Sequence, residues 1–305
     1  MPSELGAHAT FGASRIVMDT LVSIEATSPD ENAAPGRIDR ALGWFAEVEA
    51  RCSRFEPDSE LMRLCTRPGE VVATSPLLIA CLEFALELAR LTGGAFDPAV
   101  GGRLQAAGFD RSYRSGDRAH AGATDSNATY RDIHIEPEAG TVRLTRPMVI
   151  DLGAVAKGFA MDLAARELAG FASFAIDAGG DILVRGVRPD GEVWSVGIQH
   201  PRQADEIIDV IEVAEGAVCT SGDYERASAD GGAHIVDARG GEGLALASVT
   251  VVAPTAMAAD GLSTAAFVLG PDEGMDLLRS QRVEGLIVTR ALVRDETPGF
   301  ARMRR

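Results

Sequence analysis

Apolar positions along this chain follow two periods, and the change between them marks out its elements. Residues 15–27 alternate apolar and polar, as a half-buried strand does. After a turn-rich connector at 29–35 the period lengthens, with Ile38, Leu42, Phe45, Val48 and Cys52 at three- and four-residue steps forming one buried helical stripe. Ser75-Pro76 supplies an N-cap and a first-turn proline for a second helix over 77–91, which stops near Gly93-Gly94. Residues 110–130 have no apolar period and are rich in Gly, Ser, Ala, Asp and Arg, which predicts a long exposed, flexible loop.

Beyond that loop strands dominate. Short runs at 133–135 and 141–144 precede a helix over 154–168, followed by strands near Phe174 and at 182–184 and 193–198. Runs at 207–213 and 248–253 continue the sheet pattern, Thr255 caps another helix, and 272–279 reads as a final one. Helices and strands interleave without a regular βαβ rhythm or a fixed repeat, so the fold class expected is α+β, with mixed sheets and packed helices. A length of 305 residues suits a single domain over 1–305, in one lobe or two.

Charge narrows the partners. With 46% hydrophobic residues the chain is globular, and a net charge of −16 argues against a nucleic-acid binder or a polybasic membrane anchor. An anionic ligand would need a local device to offset that field. Four cysteines, Cys52, Cys65, Cys81 and Cys219, have no C-x-x-C spacing and look like small core residues. The first 17 residues lack a basic and an apolar signal region, so the chain as given is expected to be cytoplasmic.

One residue departs from this pattern. Lys157 is the single lysine beside 28 arginines, in the run Asp151-Leu-Gly-Ala-Val-Ala-Lys-Gly158. A lone ammonium suggests a place where a planar guanidinium would not fit, although chance survival of a surface lysine explains it as well on composition alone. Asp260 and Thr264, four apart on the helix after Thr255, project two hard oxygens from one face, which suits Mg2+; a solvated Asp beside a Thr bonded to its own helix is the plain alternative. Thr92-Gly-Gly-Ala-Phe-Asp-Pro98 sets an aromatic beside a carboxylate, either as a helix stop or as a face for a heterocycle. Ala178-Gly-Gly-Asp181 and Thr220-Ser-Gly-Asp-Tyr224 are either hairpin turns or close approaches to phosphate. His234-Ile-Val-Asp237 offers a candidate base, or only a surface histidine. No G-x-S-x-G, H-E-x-x-H or P-loop pattern occurs.

In this order these segments resemble the ApbE family of FAD:protein FMN transferases. Met18-Asp-Thr20, Ser53-Arg-Phe-Glu-Pro-Asp-Ser-Glu-Leu61 and Ser248-Val-Thr-Val-Val-Ala-Pro-Thr-Ala256 complete the match, which covers roughly residues 15–280. The resemblance implies an ApbE-like, T-fold-like α+β fold, FAD as bound donor substrate and Mg2+ as cofactor. It also implies transfer of FMN to a Ser or Thr hydroxyl of an acceptor protein, a redox-chain subunit, with release of AMP. Carried onto this chain, Met18, Phe55, Ala95, Phe96, Asp97, Asp151, Lys157 and Val236 would line the flavin nucleotide. Mg2+ would lie between the Ala154 carbonyl and the side chains of Asp260 and Thr264, and Lys157 and His234 would act in catalysis. The chain departs from the family pattern at Ala238-Arg-Gly-Gly241, which lacks the usual proline and threonine, and carries Asp19 and Asp177 where Gly and Asn are usual. That altered loop motivates a second reading, an FAD pyrophosphatase with water as acceptor; a third, from another class, is a flavin-binding protein without turnover.

Overall fold

The computed structural model describes residues 9–110, 123–188, 190–224, 235–240 and 245–305. The chain opens with a hairpin of β1 (Ala9–Val17) and β2 (Thr20–Ser28), followed by helices α1 (Ala34–Cys52) and α2 (Glu60–Cys65). Next come β3 (Val71–Ala73), α3 (Pro76–Leu91), α4 (Gly101–Ala106), β4 (Ile133–Glu136), β5 (Thr141–Leu144) and α5 (Gly153–Glu167). The strand-rich part holds β6 (Ser173–Ala178), β7 (Asp181–Arg185), β8 (Trp194–His200), β9 (Gln203–Val213), β10 (Glu215–Gly222) and β11 (Leu246–Ala253). Helices α6 (Ala256–Leu269) and α7 (Pro271–Gln281), strands β12 (Glu284–Thr289) and β13 (Arg294–Glu296), and helix α8 (Pro298–Met303) close it.

Among the described residues an eight-stranded sheet runs in the order β1-β2-β6-β7-β10-β11-β12-β13, beside a three-stranded sheet β3-β5-β4 and the β8–β9 hairpin. Every strand pair is antiparallel. One face of the large sheet carries α1, α3, α5 and α6 over the main core. The other face, at the β7-β10-β11-β12 end, is covered by the β8–β9 hairpin and α8, which bury Val196, Ile198, Ile211 and Phe300 against it. Strand β11 is therefore buried at all eight positions, and its sequence is a continuous run of apolar and small residues rather than an alternation.

Local chemistry explains most boundaries. The Ser75 hydroxyl accepts from Leu78 N–H at 3.3 Å and Pro76 starts α3; Thr255 caps α6 in the same way through Ala258 N–H at 3.3 Å. The stripe of Ile38, Leu42, Phe45, Val48 and Cys52 is buried, and α1 packs on α5. All four cysteines are buried, and none is in a disulfide. No helix of the described residues is long and apolar enough to cross a membrane.

Four expectations change. The helix at 272–279, α7, is not the final one, since α8 follows it after β12 and β13. The strand read over 15–27 is two strands, folded back at Met18-Asp19, a turn without glycine or proline to announce it. The run at 207–213 does not extend the main sheet but pairs with β8 in a layer above it. Of the loop expected over 110–130, residues 111–122 lie outside the described residues, while Ala128 and Tyr130 are buried and Thr129 and Asp132 form a capping box. Thr129-x-x-Asp132 is the signal that the alanine- and glycine-rich surroundings conceal.

Candidate functional site

Two tight turns meet at one end of the sheet. Met18 and Asp19 both have left-handed φ, 52° and 58°, which makes the two-residue turn whose twist matches the strands it joins. An aspartate tolerates that conformation; Met18 does not, at a cost of about 1–2 kcal/mol, and its N–H is held by Glu49 Oε1 of α1 at 3.0 Å. Two strands along, Gly179-Gly180 turns β6 into β7 with φ of 68° and 94°. A Cβ on Gly179 would come within 2.2 Å of Thr20 Oγ1, so the absence of a side chain lets the turns lie together.

The second component is the crossing of α5 and α6. A Cβ on Gly158 would fall 2.4 Å from the Ala256 carbonyl, and Asp162 of α5 accepts from the Ala256 and Met257 N–H groups at 2.8 and 3.0 Å. Burial raises the Asp162 pKa over the opposing pull of those bonds. With α6 fixed in this way, Asp260 Oδ2 lies 3.1 Å from Gly158 N and 3.7 Å from Lys157 Nζ. Lys157 is ion-paired with Asp181, the first residue of β7, whose other oxygen accepts from Thr220 N–H at 3.1 Å. Ser221 of β10 bridges Ser263 and Thr264, at 2.8 Å to each.

The third component is an aromatic and carboxylate wall. Phe96 and Asp97 follow the α3 stop, and Asp97 accepts from Ala99 and Tyr130 N–H at 2.8 and 3.0 Å. Burial nevertheless pushes its pKa up. Opposite, the buried Arg54 guanidinium bonds Asp151 Oδ2 at 2.5 Å and the Phe109 carbonyl at 2.8 Å, and lies 4.1 Å from the Phe55 ring centroid. Asp151 Oδ1 also accepts from Gly153 N–H at 2.7 Å, ahead of α5.

These parts enclose a cavity of about 1180 Å3. Met18, Phe55, Phe96, Asp97, Asp151 and Val236 line it, as do Ala154, Lys157, Asp260 and Thr264. Ala95 is the exception: it is fully buried behind the wall, and its carbonyl accepts from Ala238 N–H at 3.0 Å, which fastens the 235–240 segment. His234 lies outside the described residues. Sequence reasoning passed over Arg54 and Asp181, although each stood inside a motif it had picked out. It also passed over the tip of the β8–β9 hairpin, where His200 and Arg202 reach the cavity and Arg202 grips Asp223 at 2.6 and 2.9 Å.

The oxygens beside Lys157 suit a hard cation. Among the described residues no three His, Cys, Asp or Glu side chains form a metal cage. One carboxylate, one hydroxyl and one carbonyl are the sparse donor set that Mg2+ accepts while it keeps waters and phosphate oxygens. The Gly158 N–H donates to Asp260 Oδ2 at 3.1 Å, which holds that carboxylate against α5, one turn from Ala154. The residues present therefore fit the ion.

An α+β fold holding a dinucleotide-sized cavity between paired turns and a helix crossing defines the class, and the comparisons give it a family. The chain belongs to the ApbE family, whose sequence profile matches residues 18–287. It is 32% identical to the FAD:protein FMN transferase of Treponema pallidum over 296 residues, covering 88% of this chain and 81% of that protein. It is 29% identical to the Vibrio cholerae FAD:protein FMN transferase over 276 residues, or 86% and 80% of the two. The crystal structure of the ApbE protein of Thermotoga maritima superimposes with a TM-score of 0.85 at 27% identity, covering 97% of this chain and all (100%) of that one. The flavin transferase ApbE of Vibrio cholerae gives 0.82 at 26% identity, over 97% and 100%.

Proposed function

We propose that this chain transfers FMN from FAD to a Ser or Thr hydroxyl of an acceptor protein, a redox-chain subunit, and releases AMP. The acceptor oxygen forms a bond to the FMN phosphorus, the phosphoanhydride bond breaks towards AMP, and the hydroxyl proton leaves to a base. The observation that carries the reading is the cavity, which has an aromatic and carboxylate wall at one end and Lys157 with Asp260 and Thr264 at the other. Its volume of about 1180 Å3 exceeds the ~300–1,000 Å3 of most small-molecule sites, as a dinucleotide requires.

Each residue has a defined task. Phe55 and Phe96 offer apolar faces to the isoalloxazine, and Asp97 and Asp151, held by backbone N–H groups and Arg54, accept from its polar edge. Lys157 presents a compact charge towards the pyrophosphate and is itself positioned by Asp181 and Asp260. Ala154, Asp260 and Thr264 would hold Mg2+, which when bound supplies charge neutralisation on the phosphates of an otherwise acidic protein. His234 is the candidate base, on sequence alone.

The test is incubation with FAD, Mg2+ and candidate acceptor subunits, following AMP and covalently bound flavin. Fluorescent acceptor together with AMP is expected. AMP without labelled acceptor means hydrolysis instead, and retained FAD with neither product means a carrier. Failure to bind FAD refutes all three.

A further inference from the structure

Beside the cavity, on the face of the large sheet away from α1 and α5, lies a groove of about 840 Å3. It rests on alternate residues of the sheet, Ala175 and Asp177 of β6 and Ile182 and Val184 of β7, so its floor is a strand face. Along one side it touches the consecutive residues Trp194, Ser195, Val196 and Gly197, so that side is the edge of β8. Among the described residues β8 pairs only with β9, on its other side, which leaves alternate peptide groups of β8 directed into the groove. The strand is pinned in place by Trp194 Nε1 bonding to the Gly186 carbonyl at 2.8 Å and by Val196 and Ile198 in the second core.

From this arrangement we infer that the groove receives an extended segment of the acceptor protein, added as a strand to the free edge of β8, which delivers the hydroxyl into the cavity. The inference rests on the transferase reading above.

Continuity with the cavity carries it. The β6–β7 turn gives Gly179 to the cavity and Gly180 to the groove, and β8 passes from Val196 in the groove to His200 on the cavity wall. Four residues of strand span about 13 Å, so a short extended stretch bridges the two. A peptide laid along β8 carries its hydroxyl with the strand to the cavity wall.

Charge and shape then specify the segment. The charged residues lining the groove, Glu25 and Asp177, are both acidic. At its cavity end Ile16 and Leu21, cross-strand partners on the same face as Ser23, are 70% and 55% exposed beside the Met18-Asp19 turn. The fitting segment therefore has an apolar residue next to its Ser or Thr and a lysine or arginine a few residues further away.

The probe is a fluorescently labelled dodecapeptide with one central threonine, an apolar neighbour and two lysines at one end, compared with the same peptide carrying glutamates. The lysine peptide is expected to bind the full chain and to protect the amides of residues 195–197 from hydrogen exchange. Glu25→Lys should weaken it about tenfold or more through charge reversal. Ser23→Trp, which fills the groove floor, should do the same, and both variants should bind FAD like the parent by flavin fluorescence. Absence of peptide binding, equal binding of the glutamate peptide, or protection confined to residues outside β8 would overturn the inference. Peptide binding at β8 in a chain that fails to bind FAD would sink the transferase reading and leave the groove standing.

Discussion

Lys157 offers the sharpest perturbation because its surroundings fix the size of the effect. Its Nζ lies 3.7 Å from Asp260 Oδ2 and pairs with Asp181, and both carboxylates are nearly buried, at 6% and 5% exposure. At an effective dielectric near 20, one such contact is worth about 4 kcal/mol before desolvation. Removing one partner of a buried pair typically costs about 3–5 kcal/mol. The Lys157 side chain is 23% exposed, so water screens part of this. About 2 kcal/mol should remain, because Lys157→Met leaves two neighbouring carboxylates without their cation. For a chain of 305 residues that corresponds to a fall of about 3 °C in Tm. Lys157→Arg keeps a cation beside both carboxylates and should lose less stability than Lys157→Met. Its planar fork, however, cannot place a compact charge between Asp181 and Asp260 and would reach into the space assigned to the pyrophosphate. A loss of about a hundredfold in kcat/KM for FAD is expected of that variant, the scale of a misplaced oxyanion-stabilising group. Calorimetry on both variants, with AMP release under single turnover, separates the two effects. Parent-like turnover in Lys157→Arg, or a parent-like Tm in Lys157→Met, would refute the assignment.

Other expectations follow from single contacts. Asp260→Ala should lose both turnover and the rise in Tm on adding Mg2+; a variant that keeps the full thermal response would place the ion elsewhere. Arg54→Ala leaves Asp151 without its guanidinium and removes the stack on Phe55, so FAD should bind at least about tenfold more weakly and stability should fall by about 3 kcal/mol, read by flavin fluorescence and urea unfolding. Gly158→Ala forces a Cβ to within 2.4 Å of the Ala256 carbonyl, and a loss of about 1–3 kcal/mol in urea is expected as α5 and α6 move apart. Glu60 is held below the usual carboxylate range: burial opposes this, but Ser75 N–H at 2.5 Å, Ser75 Oγ at 2.7 Å and Arg51 outweigh it. A depressed acid stabilises fully above its unfolded value and loses that contribution as pH falls through the folded one. Glu60→Gln should thus cost about 2 kcal/mol at neutral pH, and the gap to the parent should narrow below about pH 4.5. A gap independent of pH would contradict the cause given.

Legibility followed how local the physics was. The cap and proline at Ser75-Pro76, the stripe of α1 and the Thr255 cap are interactions within a few residues, and periodicity displays them. The Met18-Asp19 turn was invisible because neither residue prefers a left-handed backbone; the pairing of β1 with β2 and the Glu49 contact impose it. The β8–β9 layer was hidden for a related reason, since alternation along 207–213 states that one face is buried but not against which sheet.

The motifs alone determined the family and most of the cavity wall, because Phe55, Phe96, Asp97, Asp151 and Lys157 sit in short runs whose residue types already limit their chemistry. Tertiary structure decided the rest. It turned Ala95 behind the wall, and it made Arg54 the anchor of Asp151 and Asp181 the partner of Lys157. It also set β8, whose second edge is unpaired among the described residues, beside the cavity. Each of these depends on groups far apart in the chain meeting in space, and a sequence fixes such meetings only through the packing of the whole core.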